Sequence, residues 1–545
     1  MANKKQILYR EDARAAVFSG AKKMRDIVAI TLGPKGRTVM IEQEYGDHKV
    51  TKDGVTVAKS VELENPFENL GAKTMRSIAL KMSEGDGTTS SIVFSYALLE
   101  EARKYIVAGY DTNELIIEID EAIEETVDLL RKHAKPVKDN NKLIKQVATI
   151  SANGDTALGD MIAKAFAKVG DKGIITVEES KTGNTELDVV DGMQLDKGFV
   201  APHFITNAER GLSELTDKVF VLVYQDKISN FFALIKLLEQ VARNGGSLWI
   251  MADDVDGDAL NGLILNKLQN KIKVCCTKAP GFGDNKLGIM EDVAKLVGTR
   301  VMAAQLGDDL ERVQLSELGL ASRVIVSREN TIISGGHGDK DDLKAHAAAL
   351  NEQASKAQSE YDKEKLRERA AKLLNGIGVL RIGGYSTLSI GELKDRADDA
   401  VHAVQAAING GILPGGGSAF VYASAHIKAD TTGAKLLKHA LTSITAMIAE
   451  NAGSRSPGSI VENVLSGGTN HEKGKKHAGF DYGYDARRGK FGSMYEFGVI
   501  DAADIACAVL RKGFDGVKTI ISTAGVIAII KDKDEKASTG ADEMY

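Results

Sequence analysis

From about residue 191 to 376 the sequence alternates short apolar runs with amphipathic segments, and the chain on either side of this block is mainly helical in pattern. VFVLVY, SLWIMA, KVCCTKAP and TRVMA read as strands, separated by helical stretches at 229–244, 257–269 and 287–297. Strands alternating with helices argue for an α/β domain, here inserted into a helical frame, with Gly192 and Gly376 near its edges as candidate hinges. At 545 residues the chain exceeds what one hydrophobic core organises, so two to four domains of roughly 100–200 residues are expected. The fold class is multidomain α/β.

The frame has its own order. Ala16, Val17, Met24, Ile27, Val28 and Thr31 stand at helical spacing over 11–31, and GPKG at 33–36 ends that helix. TVMIEQ and HKVTKDGVTV read as strands, with KDG at 52–54 as a hairpin turn. Helices follow from Asp86 to about Val107 and over 113–134; 136–190 mixes the helix DTALGDMIAKAFAKV with the strand GIITVEE. The charged stretch 340–374 reads as a solvated hairpin of two helices. GVLRIGG is a strand, 391–409 a helix, the region to about 525 again helical, and the last fifteen residues a polar tail.

Composition excludes several classes. A net charge of −6 gives no footprint for nucleic acid and no attraction to an anionic membrane, so neither partner is expected. Cys275, Cys276 and Cys507 form no CxxC pair, and no histidine pair has zinc spacing. A reducing compartment suits such cysteines, and no apolar run marks a signal or a span, so a cytoplasmic location is expected. There are 55 glycines against seven prolines, a balance that favours close backbone approaches over rigid turns.

Four glycine-marked loops carry the chemical signal: TLGPKG (31–36), TKDG (51–54), GDGTTSS (85–91) and PGGGSA (414–419). None is a Walker A or GxGxxG motif, yet three adjoin expected helix ends, where backbone amides meet anions. A triphosphate with magnesium needs amide donors, a cation and a carboxylate that reaches the metal; Lys52, Asp53 and Asp86 are of those types. A carboxylate must also orient the attacking water, for which RADDAVHAVQAA offers Asp398 and Asp399. Adjacent helical residues point about 100° apart, so at most one is catalytic, and both equally suit a helix N-terminus. The apolar stripes of SNFFALIKLLEQVARNG and DGDALNGLILNKL are wider than one buried face needs. They fit either helices packed on two sides or an exposed protein-binding groove.

TLGPKGR, TKDGVTVAK, GDGTT, ISAN (150–153), DGMQLDKGF, KAPGFGD and the GGG at 415–417 occur in an order that closely resembles the group I chaperonins of the GroEL type, over about residues 5–525. The resemblance implies a mainly helical equatorial ATPase domain (1–135 and 410–545), a small α/β intermediate domain (136–190 and 377–409) and an α/β apical domain (191–376). It implies two stacked seven-membered rings that bind unfolded proteins on an apolar apical rim and enclose them under a GroES-type co-chaperonin lid. ATP and Mg2+ are the implied cofactors, with K+ as an accompanying cation.

By the same resemblance, Thr31, Leu32, Gly33 and Pro34 form the first nucleotide loop and Lys52 sits near the phosphates. Asp86 is the magnesium ligand, and Gly87, Thr88, Thr89 and Ser90 wrap the phosphates. Gly416 approaches the nucleotide, Asp485 and Ala486 the base, and Asp501 the ribose. Asp399 activates water with Asp53 as its partner. Phe199, His203, Phe204, Ile235, Leu238, Leu260, Ile264 and Leu265 correspond to the substrate and lid surface. This sequence departs from the family with Asp485 for the usual Asn, His203 for an aromatic, and RKGFDGVKT (511–519) for a small apolar stretch. An ATPase-impaired holdase of the same family is the alternative expectation.

Overall fold

The computed structural model describes residues 5–42, 48–82, 87–137, 140–170, 173–180, 183–208, 210–357, 359–374, 376–384, 386–467 and 479–529. Asp86 and the polar tail 531–545 lie outside the described residues. The chain divides into two compact units, one comprising Met1–Ala163 and Tyr385–Tyr545, the other Lys164–Gly384.

The discontinuous unit is helical. Arg10–Ala29, Pro66–Met82, Thr88–Val107, Thr112–His133, Thr432–Leu441 and Ala503–Ile521 bury their apolar faces in one core. Thr112–His133 illustrates the sequence logic: the Asp111 side chain accepts from the amides of Asn113 and Glu114, and Arg131, Lys132 and His133 occupy the last turn. Both ends thus suit the helix dipole and its unpaired amides. Leu115, Ile119, Ile123, Val127 and Leu130 recur every three or four positions and are all buried, each contributing about 1.5–3 kcal/mol. Arg10–Ala29 meets Pro66–Met82 through two glycines. A Cβ on Gly20 would stand 1.7 Å from the Glu68 carbonyl oxygen, and one on Gly71 would stand 1.9 Å from that of Val17. Each glycine admits the other helix's backbone where no side chain fits. Lys5–Tyr9 pairs antiparallel with Gly525–Ile529, so the two ends of the described chain share one ribbon.

One expectation changes here, and one departure from the family pattern is accommodated. KDG is not a hairpin tip: Asp53 N-caps the helix Gly54–Ser60, its carboxylate accepting from Val55 N (3.1 Å) and Thr56 N (2.8 Å). The hairpin partners are instead Val39–Ile41 and Lys49–Thr51, which end before it. RKGFDGVKT is accommodated within the helix Ala503–Ile521, with Phe514 and Val517 buried. Gly513 lies against Phe94 and Ser95, Gly516 against Ile78, while Arg511 forks onto Glu124 at the surface.

The Lys164–Gly384 unit holds a six-stranded sheet in the order Gly192–Leu195, Thr331–Gly336, Gly319–Val326, Ser213–Tyr224, Ser247–Ala252, Lys273–Lys278. The last three strands run parallel, linked by Phe232–Arg243 and Gly257–Leu268. Their all-apolar sequences follow from burial: every residue of Ser247–Ala252 is buried, as parallel strands covered on both faces require. Gly192 is a packing position in this sheet, where a Cβ would stand 2.4 Å from the Ile333 carbonyl oxygen. A second sheet sets Ile377–Ile382 between Ile174–Glu179 and Glu186–Val190.

The charged helical pair is Lys340–Lys356 and Glu360–Leu374, and it is not solvated all round. Leu343, Ala347, Leu350, Ala370 and Leu373 join the unit's core. Fully buried Asp292, on the helix Gly283–Val297, accepts from His346 Nε2 (2.8 Å) and from Arg369 Nε (2.7 Å) and Nη2 (2.9 Å). Gly288 makes room, since a Cβ there would stand 2.3 Å from Arg369 Nη1. Removing one partner of a buried pair strands the other charge. Arg369→Leu is therefore expected to destabilise this unit by about 3–5 kcal/mol, read as an earlier urea midpoint in the full chain. An unchanged midpoint would contradict a structural role for the pair.

Candidate functional site

All four glycine loops adjoin helix ends in the structure, one more than the sequence pattern suggested. TLGPKG follows Arg10–Ala29, TKDG precedes Gly54–Ser60, and PGGGSA precedes Ser418–His426. Gly87, the described end of GDG, is the left-handed N-cap of Thr88–Val107 at φ 97°. The loops converge on one cavity of about 630 Å3, within the range of small-molecule sites.

The geometry of convergence is set by close approaches. Gly54 abuts the start of the Thr88 helix so tightly that a Cβ would stand 2.2 Å from Thr89 Oγ1. Thr31 Oγ1 lies 3.3 Å from the same Thr89 Oγ1 and donates to the Val28 carbonyl. Asn451 Nδ2 donates to the carbonyls of Ala29 (2.8 Å) and Leu32 (3.0 Å), fixing the loop of Thr31, Leu32, Gly33 and Pro34 against the cavity. On another wall Gly416 and Gly417 take left-handed φ values of 66° and 77°, and a Cβ on Gly417 would stand 2.5 Å from Thr445 Oγ1. A backbone wall of this kind lets a ligand reach the chain itself.

The first helical bond of Thr88–Val107 runs from Ser91 N to Gly87 O, so the amides of Thr88, Thr89 and Ser90 precede the helical ladder, and all three residues line the cavity. That end carries the positive pole of a 20-residue helix. Lys52 lines the same space, and burial, then the charge of Arg396, hold its pKa below the ordinary lysine value of 10.5, with Arg487 adding in the same direction and Glu392 opposing. Helix terminus, lysine and nearby guanidinium groups together suit a polyanion.

The remaining acids divide by environment. Asp399, on Thr387–Gly410, lines the cavity, and its neighbour Asp398 does not. Asp53 lines it too, with its carboxylate engaged on its own helix start. Asp485 is buried at 4% exposure and accepts from Arg487 N (2.9 Å), Arg488 N (3.1 Å) and Arg488 Nη1 (2.9 Å). It thereby shapes the turn between Tyr482–Asp485 and Lys490–Ser493 and presents Ala486. Asp501, on Ile500–Ala502, lines the cavity beside Gly415, whose Cβ would stand 2.9 Å from Asp501 Oδ1. Among the described residues no cluster of three or more His, Cys, Asp or Glu could hold a metal, and Asp86 is outside that set.

Some lining residues gave no signal in the sequence reading. Lys142, Lys145 and Gln146 on Asn141–Ser151, and Arg487, all line the cavity, beside Asn153, the last residue of the ISAN motif. The one local cue is the Asn153–Gly154 pair, a dipeptide suited to the left-handed φ values of 57° and 84° it adopts.

In the Lys164–Gly384 unit the apolar residues separate by exposure. Phe204 is fully buried and Leu238 is 7% exposed; both belong to the core. Phe199, Ile235, Leu260 and Ile264 are half-buried, and His203 and Leu265 are exposed. The two stripes are thus packed on one side and partly open on the other: Leu234, Leu237, Val241, Ala259 and Leu263 are buried, whereas Phe232, Leu265 and Leu268 are exposed. No helix among the described residues is long and apolar enough to cross a membrane.

The chain matches the TCP-1/cpn60 chaperonin family over residues 24–531 and belongs to that family. Its fold is similar to that of the chaperonin gp146 from the bacteriophage EL 2 (Pseudomonas aeruginosa), whose crystals were obtained in the presence of ATP-BeFx. The TM-score is 0.63 at 20% identity, covering 97% of this chain and 99% of that one. Family membership brings a chaperone role, assembly into oligomeric rings and dependence on nucleotide as properties of the class.

The Lys52 environment has a measurable consequence. Its folded pKa lies below 10.5, so as pH rises through the window beneath 10.5 the folded chain releases that proton before the unfolded chain does. The unfolded state then binds more protons, and this group's contribution to stability rises with pH. An anion in the cavity does the reverse, favouring charged Lys52. Affinity for tripolyphosphate should therefore fall as pH rises through that window, and Lys52→Met should flatten the dependence. An equally steep dependence in Lys52→Met would contradict this assignment.

Proposed function

We propose that this protein is an ATP-driven folding chaperone that binds unfolded proteins on the apolar surface of its Lys164–Gly384 unit. The observation that carries the reading is the single cavity that gathers the Thr88 helix terminus, Lys52, Asp399 and the glycine loops. Phosphate oxygens accept from the amides of Thr88, Thr89 and Ser90, and Lys52 supplies counter-charge. Gly416 lets the nucleotide lie against the backbone, with Asp485 and Ala486 toward the base and Asp501 toward the ribose.

Asp399 orients the attacking water and takes its proton as general base. Asp53 holds the Gly54 helix, and with it the close contact to Thr89, in place for that step. Asp86 would hold Mg2+, which when bound would supply charge neutralisation at the phosphates. K+ accompanies it as a second cation.

Clients and a GroES-type lid meet the exposed and half-buried residues Leu265, Phe199, Ile235, Leu260 and Ile264, while Phe204 and Leu238 support them from the core. Non-directional apolar contact suits a binder of many sequences. His203 is exposed at that surface. Two stacked seven-membered rings, an equatorial, intermediate and apical division of each chain, and a cytoplasmic setting complete the reading.

Asp399→Ala is expected to cut ATP turnover by about 10²–10⁴-fold while leaving ATP binding intact; unchanged turnover would overturn the assignment. A wild-type chain that suppresses aggregation with no Mg2+-dependent ATPase would instead be a holdase. At the client surface Leu265→Ser, which changes an exposed side chain, should weaken capture of a denatured protein in an aggregation assay without altering thermal stability. Undiminished capture would remove Leu265 from that surface.

A further inference from the structure

Arg487 and Arg488 are adjacent in the turn of the Tyr482–Ser493 hairpin and are used differently. The Arg488 guanidinium stays within the hairpin, donating to Asp485 Oδ2 (2.9 Å) and the Phe497 carbonyl (3.1 Å). The Arg487 guanidinium leaves it: Nη2 donates to the Asn153 carbonyl at 3.0 Å, across a sequence separation of 334.

The receiving turn is shaped for that group. Asn141–Ser151 ends in a turn where Asn153 and Gly154 both take left-handed φ, 57° and 84°, which aims the Asn153 carbonyl at the hairpin. Gly154 provides the space, because a Cβ there would stand 2.0 Å from Arg487 Nη1 and 2.6 Å from its Cζ. Arg487, Asn153 and Gly154 all line the cavity, and the charge of Arg487 is felt at Lys52.

We propose that Arg487 is a positioning residue that clamps the Ala152–Gly154 turn to the 482–493 hairpin and so closes one wall of the cavity over a bound nucleoside triphosphate or diphosphate. The clamp rests on the proposed nucleotide reading of the same site, and it acts on retention rather than on the chemical step. Planarity matters to it. The guanidinium presents its Nη1–Nη2 edge to Gly154 while donating to Asn153 O, and a lysine ammonium at the same place supplies charge without that planar fork. The Asn153 acceptor is a backbone carbonyl.

The test is stopped-flow release of a fluorescent methylanthraniloyl-ADP from the full-length protein. Arg487→Ala and Gly154→Ala should each speed release by about tenfold, in keeping with the loss of one charge-assisted hydrogen bond. The double variant should be no faster than either single one, because both remove the same contact. In steady state KM for ATP should rise with kcat maintained or increased, and Arg487→Lys should behave like Arg487→Ala. Unchanged release in Arg487→Ala, or full rescue by Arg487→Lys, would overturn the clamp. Hydrogen exchange of the nucleotide-free protein reads the clamp without any ligand: Arg487→Ala should raise exchange over residues 152–156, and unchanged exchange would overturn it. A parent chain that fails to bind the probe while that exchange difference persists would overturn the nucleotide reading and leave the clamp standing.

Discussion

The contact on which the site depends is the approach of Gly54 to Thr89, so close that no Cβ fits between the Gly54 backbone and the threonine hydroxyl. It sets the short helix begun by Asp53 against the N-terminus of Thr88–Val107. The hydroxyl of Thr31 joins at the same point, and Asn451 holds the Thr31 loop from behind. Three segments distant in sequence thus present backbone amides and a lysine to one space. Preorganised donors of this kind bind anions without having to be ordered first. The core beneath them, with its glycine crossing of Arg10–Ala29 and Pro66–Met82, keeps those helix ends from drifting.

Much of this was legible because the chemistry is local. A glycine followed by hydroxyl residues before an apolar run marks a helix terminus, and Gly87, Thr88, Thr89 and Ser90 form one. Spacing left Asp398 and Asp399 undecided and only the family resemblance chose Asp399; on the placed helix it is Asp399 that lines the cavity. KDG was misread as a hairpin because Asp-Gly suits a turn tip and an N-cap alike; the deciding bonds, from the Val55 and Thr56 amides, are tertiary in consequence but silent in composition. Arg487 was illegible for a different reason. Its partner stands 334 residues away, and nothing in DARRGK distinguishes the arginine that stays in the hairpin from the one that leaves it.

The same limit applies to the apolar stripes. Leu238 and Leu265 look alike in sequence, yet one is 7% exposed and the other 57%, because the fold decides which side of each helix meets the sheet. The charged pair Lys340–Lys356 and Glu360–Leu374 read as solvated for a related reason: its acids and bases dominate the pattern, while Asp292, its buried anchor for Arg369 and His346, lies on another helix. Packing against a partner overrides a local charge pattern, as tertiary context commonly does.

The central claim is that the cavity of the discontinuous unit is a nucleotide site serving a chaperonin cycle. Its most direct test is calorimetric titration of the full-length protein with ATP in the presence and absence of Mg2+. Saturable binding of one ATP per chain, tightened by Mg2+, is the predicted result; no binding of ATP at millimolar concentration under either condition would contradict the account.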